Sequence, residues 1–227
     1  AIVDGRSLIV LPDDVPDEVG ALMGCAVITG VGAAIETIDI PAGSRGAVIG
    51  VGGVGVNAIQ GARARGAAEI VAIDPSEDRL EWARRFGATD GIDARDADRL
   101  DRIAATAADE GFDWTIVTVG SPAAMRTGVR MLAPGGVACM VGLTPHDTPV
   151  GVDMLELVTY ERRVVGSAYG TLAPPALVPR ILELYRRGHL QLDELVADRF
   201  PLEGINDAFA ASRAARGMRP LLHLSAA

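Results

Sequence analysis

The chain has 227 residues, a formal net charge of −9, 49% hydrophobic and 22% charged residues, and two cysteines. That balance excludes a disordered polypeptide and allows one large domain, or one domain plus part of a second. All 21 basic residues are arginine within an acidic whole, which argues against nucleic acid as a partner, because phosphate binding needs clustered cations.

Cys25 and Cys139 are too few to require a disulfide framework and fit a reducing, cytoplasmic setting. No basic segment followed by an apolar stretch opens the chain. The uncharged stretch over residues 21–35 falls short of the roughly 20 residues a membrane span needs.

In chain order, residues 1–12 read as one or two short strands ending at Leu11-Pro12, and residues 16–38 as a helix, a glycine-rich break and a second helix. From residue 45 onward apolar runs alternate with helical stretches, the pattern of a parallel sheet covered on both faces. Strands are predicted near 46–51, 69–74, 89–92, 113–119, 136–142 and 163–168, and helices near 53–65, 76–86, 96–109, 121–132, 174–187 and 204–215. Local chemistry sets several boundaries. Ser76 is placed to cap the helix that Glu77 and Asp78 begin, Gly87 and Gly188 suit helix C-termini, Pro134-Gly135-Gly136 reads as a turn, and Pro174-Pro175 can open a helix. The tail Arg219 to Leu224 reads as a last short strand. The expected fold class is α/β, a doubly wound six-stranded parallel sheet of the Rossmann kind with short flanking segments.

The first strand runs into Gly50-Val51-Gly52-Gly53-Val54-Gly55, and the second ends on Asp74, 24 residues after Gly50. This is a dinucleotide-binding fingerprint in its strand–turn–helix context. Gly50 permits the tight turn, Gly52 lets backbone approach a pyrophosphate, and Gly55 lets the helix pack close to the strand. The helix N-terminus offers N–H groups and partial positive charge to phosphates. A carboxylate at Asp74 can accept hydrogen bonds from the adenosine ribose and would repel a 2′-phosphate, which favours NAD over NADP.

Beyond the fingerprint, the chain resembles the C-terminal part of a zinc-dependent medium-chain alcohol dehydrogenase. The resemblance is carried by residues 22–30 (Leu22 through Gly24-Cys25 to Thr29-Gly30), by Val48 to Gly55, Phe86-Gly87-Ala88-Thr89, Leu132-Ala133-Pro134-Gly135-Gly136 and Met218-Arg219-Pro220-Leu221-Leu222. It covers nearly the whole chain but only the later half or so of such an enzyme, so an N-terminal catalytic domain is expected to be largely absent. It implies that Cys25 is a catalytic zinc ligand, that Thr29 packs on the nicotinamide and that Val54 lies behind the ring. It further implies that Gly53 belongs to the phosphate turn, Arg79 lies over the adenosine ribose, and Thr118, Val119 and Gly120 line the cofactor path. Val141, Leu143, Ala168 and Tyr169 would hold the carboxamide through their backbone, and Arg219 would contact the pyrophosphate. The implied cofactors are NAD and, in the intact enzyme, zinc. Since catalytic zinc normally has three protein ligands, this chain alone is expected to be inactive. The implied substrate is a small alcohol, aldehyde or ketone, with no membrane or nucleic-acid partner. The implied assembly is a homodimer or tetramer formed through the nucleotide domains near Thr148 to Asp153. The implied division is 1–15 as a remnant of the catalytic domain, 16–205 as the NAD-binding domain, and 206–227 as a helix and strand returning toward the catalytic part.

Composition alone would read Cys25 as a buried small hydrophobe, Cys139 as core, His146 as a surface-loop residue, His189 as a helix cap and His223 as structural. Two other functions remain open: a zinc-free quinone or enoyl reductase of the same superfamily, against which Asp74 and Cys25 argue, and a non-catalytic NAD-binding module.

Overall fold

A computed structural model describes residues 2–5, 8–213 and 218–224. The apolar runs form a six-stranded parallel sheet of β1 (Arg45–Ile49), β2 (Glu69–Asp74), β3 (Asp90–Asp93), β4 (Phe112–Val117), β5 (Leu132–Met140) and β6 (Arg163–Gly166), in the spatial order β3-β2-β1-β4-β5-β6. The order reverses between β1 and β4, and ligands of doubly wound sheets bind beyond the strand C-termini at such a switch point.

Alternate residues of each strand feed different helical layers. Val48, Ala72 and Ile116 pack with α1 (Asp17–Thr37), α2 (Gly53–Ala64) and α8 (Pro174–Arg186). Ala47, Ile49, Val71, Ile73 and Val117 face α4 (Ala97–Ala105) and α6 (Pro122–Arg130). Burial on both faces explains why the strand runs are continuously apolar. Trp114 is fully buried, stands against Gly46 and donates its indole N–H to Ser44 Oγ at 2.9 Å, so its polar edge is satisfied.

The expected break in residues 16–38 does not occur. α1 runs 21 residues without interruption, with π-helical turns at Met23–Val27 and Ala33–Thr37. Its glycines are contact points: a Cβ on Gly30 would collide with the Val54 carbonyl, and one on Gly61 would approach Ala34 Cβ to 2.9 Å. Close crossing of α1 and α2 offsets the roughly 1 kcal/mol helix penalty of each glycine. α1 is long and apolar enough to cross a membrane, but two thirds of its most apolar window is buried inside the fold, with Val19, Val27 and Val31 at 0% exposure.

Residues 2–5 and 8–12 form no strand, because no neighbouring strand offers them hydrogen bonds, and Ile2, Leu8 and Val10 are exposed. The predicted turn at Pro134-Gly135-Gly136 lies inside β5 as a bulge, where pairing jumps from Phe112↔Leu132 to Trp114↔Val137 and Gly135 takes φ +76°. Ser76 makes no side-chain cap to α3 (Glu77–Arg85). The predicted helix over 96–109 is divided at Thr106 into α4 and α5 (Ala107–Glu110), with Asp96 capping α4 through the Arg99 N–H. Gly87 and Gly188 take φ +116° and +72° at helix ends, as expected.

A helix and a strand were not predicted, nor were two single 3-10 turns at Asp193–Leu195 and Leu202–Gly204. α7 (Met154–Thr159) is a short helix capped by Asp153, and β7 (Val196–Pro201) pairs in parallel with β8 (Arg219–His223) in a separate two-stranded sheet. The last helix, α9 (Ile205–Arg213), starts as expected, while its predicted end at 215 lies outside the described residues.

Candidate dinucleotide-binding site

The loops after β1, β2, β4 and β5 interlock at the switch point. Gly50 takes φ +86°, and its N–H donates to the Ile73 carbonyl at 2.8 Å. A Cβ on Gly55 would collide with the Gly50 carbonyl, so α2 can start only where it does because Gly55 has none. That same carbonyl accepts the Thr118 hydroxyl at 2.6 Å, which ties the turn to the end of β4. Val119 packs over Gly50, and exposed Gly120 meets the backbone of Leu143, whose own side chain is 91% exposed.

Asp74 closes β2 with 2% exposure. Its Oδ2 accepts the buried Val51 N–H at 2.9 Å and its Oδ1 accepts the Ser76 N–H at 3.0 Å. The carboxylate therefore holds the glycine turn and the next helix start together, which the backbone N–H of Ser76 does in place of the expected hydroxyl cap. Arg79 lies over it with Nη1 3.6 Å from Oδ2 and is 40% exposed, free enough to swing. A carboxylate has about four acceptor positions, so two backbone bonds leave capacity for ribose hydroxyls once the arginine turns outward.

The N-terminus of α2 is prepared for an anion. Gly52, the residue before the helix, is extended, makes no side-chain cap, and would meet nothing within 4 Å if it carried a Cβ; the first turn contains no acidic residue. The first N–H groups of a helix lack internal partners. Arg219, from β8, lies directly on this helix start: a Cβ on Gly53 would fall within its guanidinium. Arg219 Nε is buried with no hydrogen-bond partner among the described residues. A half-buried arginine whose buried Nε is left without a partner over a helix N-terminus fits a pyrophosphate, which would bring the missing acceptor and the compensating charge.

The structure brings Gly50, Gly52, Gly53, Gly55, Asp74, Arg79, Thr118, Val119, Gly120 and Arg219 into one contiguous group. Val54 is half-buried where α1 crosses α2, with its carbonyl against Gly30, beside buried Thr29. Cys25 is exposed one turn earlier on α1, so the composition-only reading of a buried cysteine does not hold there. Cys139, by contrast, is fully buried, and burial pushes its thiol up to about 12, so it stays neutral in the core. A largely apolar cavity of about 650 Å³ is lined by Met23, Gly24, Ile28 and Tyr169 among others, and Cys25 is not among its lining residues. A larger hollow beside α8 is lined by charges that are already paired, Arg65 with Asp39 and Arg180 with Glu36, and offers a ligand no free cation or carboxylate among these. Val141 is half-buried, Ala168 is exposed and Tyr169 is 53% exposed; the Ala168–Tyr169 segment meets α1 through Gly170 and Gly32.

Zinc does not fit the described residues by themselves. No group of three or more His, Cys, Asp or Glu side chains converges among them. Cys25 alone offers one of the three protein donors that a catalytic zinc normally takes.

Sequence reasoning missed the close-approach glycines of α1 and the hydroxyls of Thr37, Ser167 and Thr171. The small-residue run Gly30-Val31-Gly32-Ala33-Ala34 was a signal for the first. The second carried none, since 130 residues separate Thr37 from Ser167.

Strand order, glycine turn and terminal carboxylate define a doubly wound domain of the Rossmann kind. The sequence model of the family described as zinc-binding dehydrogenase matches residues 53–186, and the chain belongs to that family. It is 35% identical to an alcohol dehydrogenase class-3 of Myxine glutinosa over 217 residues, covering 95% of this chain and 57% of that protein. It is 33% identical to a geraniol dehydrogenase of Castellaniella defragrans, covering 92% of this chain and 56% of that protein. The crystal structure of benzyl alcohol dehydrogenase from Acinetobacter calcoaceticus superposes with a TM-score of 0.89 at 30% identity, covering 95% of this chain and 59% of that one. The chain thus spans a little over half the length of these relatives.

Proposed function

We propose that this chain is the NAD-binding part of a zinc-dependent alcohol dehydrogenase, which transfers a hydride between an alcohol and NAD or in the reverse direction. The observation that carries the reading is Arg219 lying with an unpaired, buried Nε over the uncapped start of α2, beside the glycine turn that Asp74 holds. In this reading the α2 N–H groups and Arg219 take the pyrophosphate, Asp74 and Arg79 take the adenosine ribose, and Thr118, Val119 and Gly120 line the path between the two halves. Val54 and Thr29 flank the nicotinamide, and backbone at Val141, Leu143, Ala168 and Tyr169 meets its carboxamide. The cofactor supplies the hydride chemistry, and the protein orients it and keeps water away. In the intact enzyme Cys25 would contribute one thiolate to zinc, with the other donors coming from outside this chain. Residues 16–205 form the cofactor domain in this reading, and 1–15 and 206–227 belong toward the catalytic part. Calorimetric titration with NAD and NADP tests it: NAD is expected to bind with one site per chain, and NADP about tenfold or more weakly because its 2′-phosphate meets Asp74. Equal binding of the two would remove the NAD preference.

We further propose a homodimer through the β6 edge. Among the described residues β6 pairs only with β5, α7 buries none of its residues, and Met154, Leu155 and Val158 are 62%, 77% and 70% exposed. A second copy of this chain would cover that apolar edge. Sedimentation at micromolar concentration should show a dimer, and a Leu155→Glu chain a monomer; a wild-type monomer at that concentration would eliminate the contact.

A further inference from the structure

Three consecutive residues after β6 hold positive φ: Tyr169 at 50°, Gly170 at 75° and Thr171 at 72°. Glycine tolerates this region, whereas a β-branched threonine rarely enters it. The Leu172 N–H donates to the Gly170 carbonyl at 2.8 Å, which makes Thr171 the centre of a γ-turn in its strained, positive-φ form. Such a conformation persists only where its surroundings over-determine it.

Side chains and backbone from α1 supply those surroundings. Thr37, the last residue of α1, donates its hydroxyl to Ser167 Oγ at 2.8 Å. A threonine hydroxyl carries one proton. The 2.6 Å bond between the Thr37 and Thr171 hydroxyls must therefore have Thr171 as donor. A directed chain of three hydroxyls, Thr171 to Thr37 to Ser167, thus brackets the loop at both ends. Between the brackets, Gly170 lies on α1 so closely that a Cβ at Gly32 would stand 2.6 Å from Gly170 Cα. The helix gripped in this way is the one that bears Thr29 and Cys25.

We propose that the Thr37 hydroxyl is a positioning group. It holds Ala168–Thr171 in the strained conformation, so that backbone at Ala168 and Tyr169 is already set for the nicotinamide half of the cofactor. The inference rests on the dinucleotide reading above. Its action is confined to one end of the ligand, since the adenosine and pyrophosphate groups lie on other loops.

The test compares NADH with ADP-ribose, which lacks the nicotinamide, on the full chain. Thr37→Val removes the hydroxyl at nearly constant volume and is expected to weaken NADH about tenfold, because the loop must be ordered on binding, while ADP-ribose stays within about twofold. Thr37→Ser restores the hydroxyl and should restore NADH affinity along with the enhancement of its nicotinamide fluorescence. Ser167→Ala, which removes only the terminal acceptor, should show the same selective loss, and it carries the test if Thr37→Val does not fold. Parallel weakening of both ligands, or no change in either, would overturn the positioning role. A wild-type chain that binds neither ligand would instead overturn the dinucleotide reading, and this inference with it.

Discussion

Replacing Asp74 with alanine is expected to lower NAD affinity about ten- to a hundredfold and to cost the fold about 1–3 kcal/mol. The two losses have different origins. Hydrogen bonds from ribose hydroxyls to a carboxylate are charge-assisted and contribute about 1.5–3 kcal/mol, with each 1.4 kcal/mol worth a factor of ten. The stability cost arises in the free protein, because Val51 is fully buried and its N–H would lose the Asp74 acceptor. A buried donor left unpaired costs about 1–3 kcal/mol. Asp74→Asn separates the effects: its amide oxygen can still take the Val51 N–H, so stability should partly return, while the charge that attracts the ribose hydroxyls and repels a 2′-phosphate is gone. Urea unfolding read beside calorimetry distinguishes them. Undiminished NAD binding by a folded Asp74→Ala chain would mean that the carboxylate has only a structural task.

The second large effect is expected at Gly55→Ala. The new Cβ would enter the Gly50 carbonyl, which cannot retreat because Thr118 holds it at 2.6 Å and the adjoining Gly50 N–H is bonded to β2. Overpacking usually costs about 1–3 kcal/mol. Here the obstacle is backbone and not the end of a side chain, so about 3 kcal/mol or more is expected, a large part of the 5–15 kcal/mol that stabilises an ordinary domain. Gly52→Ala supplies the contrast. Its φ of −71° is ordinary and a Cβ there has nothing within 4 Å, so stability should change by no more than about 1 kcal/mol. NAD affinity should nevertheless fall, because that open space is where a pyrophosphate would lie. Thermal or urea unfolding of the two variants should place the damage at Gly55. Equal stability of both would show that α2 can shift to accept a side chain.

Gly50, Gly55 and Asp74 could be read in the sequence because each is demanded by backbone geometry over a short span: a positive φ, a helix touching its own strand, an acceptor at a strand end. The doubly wound six-stranded parallel sheet followed from the alternation of apolar runs with helical stretches. α1 was misread because local propensity counts glycine as a helix breaker, while the packed fold uses Gly30 and Gly61 to bring two helices together. Residues 2–5 and 8–12 were misread for the opposite reason, since β-like composition makes no strand without a partner. α7 is only six residues long and buries none of them, so it left no periodic signal. Arg219 and Cys25 were singled out through resemblance alone. Physical spacing could not join Arg219 to Gly53, because 166 residues separate them and the contact depends on where β8, paired with β7, lies against the start of α2.

The nucleotide-binding expectations depend on an anion-holding turn at the head of α2. Calorimetric titration of the unaltered chain with NAD interrogates it most directly. The account predicts saturable heat at one site per chain, displaced by ADP-ribose. A folded chain that gives no heat with either nucleotide would contradict it.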